Sequence, residues 1–262
     1  RDAMAIDFGA IAPELALTIT SFVVLFLDLN LKGQAKQLVN PVAMIGTVVA
    51  IVFTAVLWGS DRSSFGGTFV VTEYAVVFKL VFLGALLAIL GISWRYFAET
   101  RFFQGEYYFL LLVSFVGMLV MPSARDLLVL FVALETVSVP AFVMAGLRKR
   151  DLYSSEAAIK FFLIGVLSVA LMLFGMSIVY GFTGTTGLAG IAEWLSANDA
   201  PPLLLASVML VIVGFGFKVS AVPFHFWAPD TYAGSPMPVA AMLAVASKAA
   251  GFAGLMAVTF VA

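Results

Sequence analysis

Apolar residues fill the chain in eight long blocks with brief polar breaks between them: 10–29, 41–59, 74–96, 105–122, 126–146, 157–181, 203–228 and 236–260. At 1.5 Å per residue, a helix over each block crosses a hydrocarbon core about 30 Å thick. The blocks are continuous and show no period-2 alternation, so the pattern predicts helices and excludes a membrane barrel. The predicted fold class is all-α: a polytopic membrane helical bundle with about eight transmembrane helices. Most breaks are short and polar, without strand signals. The stretch 182–202 is longer, carries Gly, Pro, Asn198 and Asp199, and reads as an exposed loop.

Composition sharpens this picture. The 262 residues are 63% hydrophobic and 11% charged, and a mean hydropathy of +1.10 lies far outside the range of soluble domains. The 22 glycines suit close helix packing in lipid. A net charge of −1 gives no electrostatic footprint for a nucleic-acid partner. There is no cysteine, which excludes a cysteine-ligated iron–sulfur cluster in this chain, and a single histidine, His225, excludes a bis-histidine haem. Any redox chemistry must therefore happen elsewhere. The first apolar block is too long for a signal-peptide core and lacks an A-x-A site, so it reads as a membrane helix. The start at Arg1, without Met, and the end at Ala262, inside an apolar run, point to sequence missing at both ends.

Loop charge sets orientation, because cytoplasmic loops collect Lys and Arg. The breaks after the first, third and fifth blocks, with the adjoining block ends, hold Lys32, Lys36, Arg95, Arg101, Arg148, Lys149, Arg150 and Lys160. The opposite side holds Arg1, Arg62 and Arg125. Eight against three places the first set in the cytoplasm and the N-terminus outside. Lys79, Lys218 and Lys248 are left within the apolar blocks.

Charges at such depth cost about 2.5–3.5 kcal/mol each even on the milder insertion scale, and they usually mark ion or proton routes. Glu135 lies mid-block in LLVLFVALETVSVP, with Pro140 five residues on. That proline cannot donate to the Thr136 carbonyl, and Thr136 and Ser138 add hydroxyls, so a polar pocket forms around the carboxylate. Lys218 follows Gly214 and Gly216 and precedes Pro223, which predicts a broken helix near the midplane, as at transporter ion sites. Lys248 is flanked by Ala246, Ser247, Ala249 and Ala250, small enough for a helix or water to approach the ammonium. The bland alternatives are a carboxylate locked to a neighbouring helix and lysines that snorkel to the surface. His225, beside Trp227 and Asp230, suits proton transfer or a structural hydrogen bond equally well. Lys160 has Glu156 one turn before it, an ordinary i,i+4 pair. Lys79 is expected to snorkel, and Glu14 and Asp28 to sit at the interfaces. Were Glu135 and Lys218 about 4 Å apart, they would attract by about 4 kcal/mol at an effective dielectric near 20.

No Walker loop, dinucleotide-binding fingerprint, HExxH or EF-hand loop is present. What is present is the run GFKVSAVPFHFWAPDTYAGSPMPVAAMLAVASKAA, with LLVLFVALETVSVP, SSEAAIKFFLIGVLSVALMLFGMSIVYGFTG and EYYFLLLVSFVGMLVMPSARDLL. Together these resemble the antiporter-like membrane subunits of respiratory complex I, most closely the subunit N type (subunit 2 in mitochondria, B in chloroplasts). The resemblance covers about 105–250, and the first hundred residues match mainly in helix pattern.

That resemblance implies a 14-helix subunit with two inverted five-helix repeats. Residues 1–104 would be three leading helices and 105–262 the first repeat, with its seventh helix broken. The second repeat and its lysine would be missing. It implies roles in proton translocation for Glu135, Lys218, Lys248, Lys160 and His225. It implies no cofactor and no metal in this chain, with NADH, flavin, iron–sulfur clusters and quinone belonging to partner subunits. The implied partners are other complex I membrane subunits, including neighbouring antiporter-like ones, in the lipid bilayer of the cell inner (plasma) membrane. The subunit itself would be a non-redox part of a proton-pumping NADH:quinone oxidoreductase. Two other readings stand beside it: a subunit of a multisubunit sodium/proton antiporter, which shares the Glu–Lys–Lys pattern, and a passive membrane scaffold.

Overall fold

A computed structural model of the chain describes residues 6–100, 105–148 and 150–261. Arg1, Arg101 and Lys149, used in the loop-charge count, fall outside these residues. The described residues hold eight helical spans long and apolar enough to cross a membrane. In chain order the helices are α1 (Ala12–Asn30), α2 (Val39–Val56), α3 (Glu73–Thr100), α4 (Gly105–Val120), α5 (Leu127–Ala145), α6 (Leu152–Thr183), α7 (Leu188–Ala197), α8 (Pro202–Val219), α9 (Trp227–Gly234), α10 (Met237–Ala244) and α11 (Ala246–Val261). The bundle packs α1 on α2 and α4, α4 on α5, and α6 on α8 and α9, while α11 lies against α8. Phe22, Phe26, Val132, Phe174 and many like them face outward, as lipid contact requires.

Helix ends follow local chemistry. Asp126 caps α5 by accepting from the backbone N–H groups of Leu128 (2.8 Å) and Val129 (3.3 Å). Asp151 does the same for α6 through Tyr153 N–H at 3.0 Å. Gly175 sets the spacing of α6 and α8, because a Cβ there would lie 2.5 Å from the Ser207 carbonyl oxygen. Only a glycine lets the two backbones come that close.

Several expectations need correction. The sixth span starts at Leu152, well before position 157, since the polar run Ser154–Ser155–Glu156 is absorbed into the helix's first turns. The seventh stops at Val219 rather than continuing to 228. The stretch 182–202 is not plain loop: it contains α7, whose Leu188 and Ile191 are buried. A short hairpin, β1 (Arg62–Ser64) with β2 (Phe69–Val71), occupies the break between α2 and α3. The eighth span is interrupted at Val245, between α10 and α11. Lys79 does not snorkel. It is fully buried, and its Nζ lies 2.7 Å from Oε1 of Glu14, itself buried near the start of α1. Asp28 is buried too, and pairs with Lys36 at 2.8 Å.

Candidate functional site

The predicted break falls just after Lys218. Ser220 takes a left-handed conformation (φ 59°), its N–H bonds the Phe217 carbonyl at 3.1 Å, and Ala221 N–H reaches the Gly216 carbonyl at 2.8 Å. This is the paired-bond ending of a Schellman motif, which satisfies the carbonyls of the last turn. The chain then turns through a cis Val222–Pro223 bond into α9. Trp227, at the head of α9, donates its Nε1–H to the Phe217 carbonyl at 3.1 Å. Its ring stacks on Phe161 of α6 (centroids 4.4 Å, 25°) and lies 5.3 Å from Phe217. The break is thus pinned at both edges by packing.

Lys218, 1% exposed, donates from Nζ to Ser138 Oγ on α5 at 3.0 Å. Ser138 in turn donates to the Leu134 carbonyl at 2.6 Å. Glu135 stands three residues before Ser138 on the same helix, half-buried, and its Oε1 is buried without a hydrogen-bond partner. Among the described residues no ion pair joins Glu135 to Lys218. Ser138 takes the direct contact with Lys218.

Lys248 comes next. On α11, a Cβ at Gly251 would lie 3.1 Å from Lys218 Cβ and 2.9 Å from Val219 Cγ1, so α11 crosses α8 with its backbone against the lysine stem. Lys248 is three residues before that crossing, half-buried, with Nζ 5.5 Å from the centroid of the Tyr232 ring. Between the two lysines in sequence runs the 220–235 segment. It carries five buried polar atoms without a hydrogen-bond partner: Ser220 Oγ, His225 Nδ1, Thr231 Oγ1, Tyr232 Oη and Ser235 Oγ. Buried polar groups are ordinarily paired, so this concentration makes the segment unusually polar for an apolar bundle.

Lys160 is more than an i,i+4 partner of Glu156. Its Nζ lies 2.5 Å from Glu156 Oε1 and 2.6 Å from Asp230 Oδ2, which ties α6 to α9. It remains about half exposed. His225 is half-buried and its ring lies 4.6 Å from Phe226. Sequence reasoning named Ser138 only as an added hydroxyl and did not single out Tyr232. A serine three residues beyond a buried glutamate was the available signal for the first; nothing local marked the second. Among the described residues no group of three or more histidine, cysteine or carboxylate side chains is placed to hold a metal ion.

Residues 124–262, just over half the chain and most of this site, match the family described as NADH:quinone oxidoreductase/Mrp antiporter, TM. The chain belongs to that family. Among curated relatives of this NADH:quinone oxidoreductase/Mrp antiporter family, the chain is 42% identical over 270 residues to NADH-quinone oxidoreductase subunit N 2 of Streptomyces griseus, covering 98% of this chain and 50% of that protein. It is 40% identical to F(420)H(2) dehydrogenase subunit N of Methanosarcina mazei, covering 96% and 52%. Among solved structures it superposes on a chain of respiratory complex I from Thermus thermophilus with bound aureothin, with TM-score 0.77 and 33% identity, over 94% of this chain and 52% of the other. The chain spans about half the length of the relatives it matches.

Proposed function

We propose that this chain supplies the three leading helices and first five-helix repeat of a proton-translocating subunit of NADH–quinone oxidoreductase. It does no redox chemistry itself. Quinone reduction in partner subunits drives proton transfer through Glu135, Lys218 and Lys248. The observation that carries this reading is the fully buried Lys218 at a helix break, hydrogen-bonded to α5 and followed in sequence by a segment of unpartnered polar atoms whose Tyr232 ring lies beside Lys248.

In this scheme Glu135 holds Lys218 protonated through space. When the carboxylate loses its charge or moves, the ammonium is left with Ser138 alone in a low-dielectric interior, where an under-compensated charge is costly. The proton leaves toward Ser220, His225 and Tyr232 and reaches Lys248. Lys160, with Glu156 and Asp230, stands at the half-exposed end of the same region. The chain sits in the cell inner membrane with its N-terminus outside, in line with the loop charges, and other antiporter-like subunits lie alongside.

The test is Lys218→Ala or Glu135→Ala in the full complex reconstituted in liposomes, with proton pumping measured per quinone reduced. Unchanged pumping refutes the pathway. The family description also covers Mrp antiporters. Activity that needs only a sodium gradient, without donor and quinone, would favour that second reading.

A further inference from the structure

Glu14 and Lys79 lie outside the route above and outside the matched segment 124–262. Lys79 on α3 is fully buried, and its Nζ is 2.7 Å from Glu14 Oε1 on α1. The contact is close but poorly aligned: neither carboxylate oxygen nor Nζ has a hydrogen-bond partner among the described residues. The ring of Phe69 covers Nζ at 4.8 Å from its centroid. Stability alone gives little reason to keep such a pair, since apolar replacement of a buried ion pair is often neutral or stabilising.

Its place in the bundle supplies a reason. The Tyr74 hydroxyl on α3 donates to the Ala253 carbonyl on α11 at 3.0 Å. As odd and even spans, the two helices run antiparallel. Lys79 lies five residues beyond Tyr74 and Lys248 five residues before Ala253, each about 7.5 Å along its axis from that contact at 1.5 Å per residue. The two lysines therefore share a depth on neighbouring helices, each about 140° round its helix from that contact. Just before α1, Asp7 and Arg62 form a part-exposed pair at 3.6 Å.

We propose that Glu14 and Lys79 form a further proton-holding pair, through which the three leading helices take part in translocation. The inference rests on the proposed function above. The step is internal: an Nζ–H bond of Lys79 breaks, an O–H bond forms on Glu14 Oε1, and ammonium with carboxylate becomes amine with carboxylic acid. Net charge is unchanged and no other reactant is needed. The pair is neutral while Lys248 is loaded, and the ionic pair returns when it empties.

The experiment uses the full complex with the complete subunit in proteoliposomes, carrying Glu14→Gln/Lys79→Met, with Lys218→Ala as reference. Expected is normal assembly and donor-to-quinone turnover with a loss of protons pumped per electron. A double variant that assembles and pumps at the wild-type ratio, while Lys218→Ala does not pump, overturns this inference and leaves the main route standing. If Lys218→Ala also pumps normally, the main route has failed as well. Should the double variant not assemble, Glu14→Asp decides. The infrared difference spectrum of the turning-over complex must contain a carboxylic-acid C=O band that this variant shifts, and a spectrum unaltered by it overturns the inference.

Discussion

Replacing Trp227 separates the two ways in which the helix break is held. The side chain is 1% exposed, stacks on Phe161 at 4.4 Å, and meets Tyr232 edge-on at 5.9 Å. It also donates a 3.1 Å hydrogen bond to the Phe217 carbonyl, which keeps a second donor in the Ser220 N–H. Trp227→Phe preserves most of the packing and loses one hydrogen bond to an acceptor that stays paired, a cost of about 0.5–1.5 kcal/mol. Trp227→Ala empties the site and costs about 3–5 kcal/mol. The gap between them, roughly 2–4 kcal/mol, exceeds a tenfold change in equilibrium constant. It is read from denaturation midpoints of the purified complete subunit in detergent. Pumping by the reconstituted complex gives the functional side. The alanine variant frees Tyr232, the ring beside Lys248, and lowers pumping more than the phenylalanine variant. Equal destabilisation by the two, or a harmless Trp227→Ala, would refute the claim that aromatic packing holds the break.

Three further outcomes are expected. Gly175→Ala drives a methyl against the Ser207 carbonyl of α8, 2.5 Å from where its Cβ must go, and destabilises by about 1–3 kcal/mol, measured by the same midpoints. Asp126→Ala removes the α5 cap and the acceptor of the Thr186 hydroxyl at 2.5 Å; the cap alone is worth about 0.5–2 kcal/mol, and Asp126→Asn recovers most of it. Lys160→Met leaves the denaturation midpoint nearly unchanged, because its carboxylate partners are about half exposed, yet slows pumping, so that stability and transport assays part company.

Much of the fold was legible because lipid imposes a severe rule. A spanning segment must satisfy its own backbone, so each helix announces itself as an unbroken apolar run. The break after Lys218 was legible too, from Gly214, Gly216 and Pro223. What escaped was tertiary. Lys79 looked like a lysine near a helix end, and nothing local reports that Glu14 on another helix faces it inside the bundle. Asp230 lies 70 positions from Lys160, so the i,i+4 pair with Glu156 hid the second carboxylate. The kink at Val245 has no proline or glycine beside it, and α7 is a ten-residue amphipathic helix bounded by turn residues, which composition alone assigns to loop.

The distinction between a lysine that passes a proton and one that merely supplies fixed charge is open to a direct measurement at Lys218. Arginine keeps the positive charge but does not give up its proton in proteins. The decisive quantity is protons pumped per quinone reduced by the reconstituted complex carrying Lys218→Arg beside Lys218→Met. The account predicts that both variants lose pumping. An arginine variant that pumps at the wild-type ratio would contradict it.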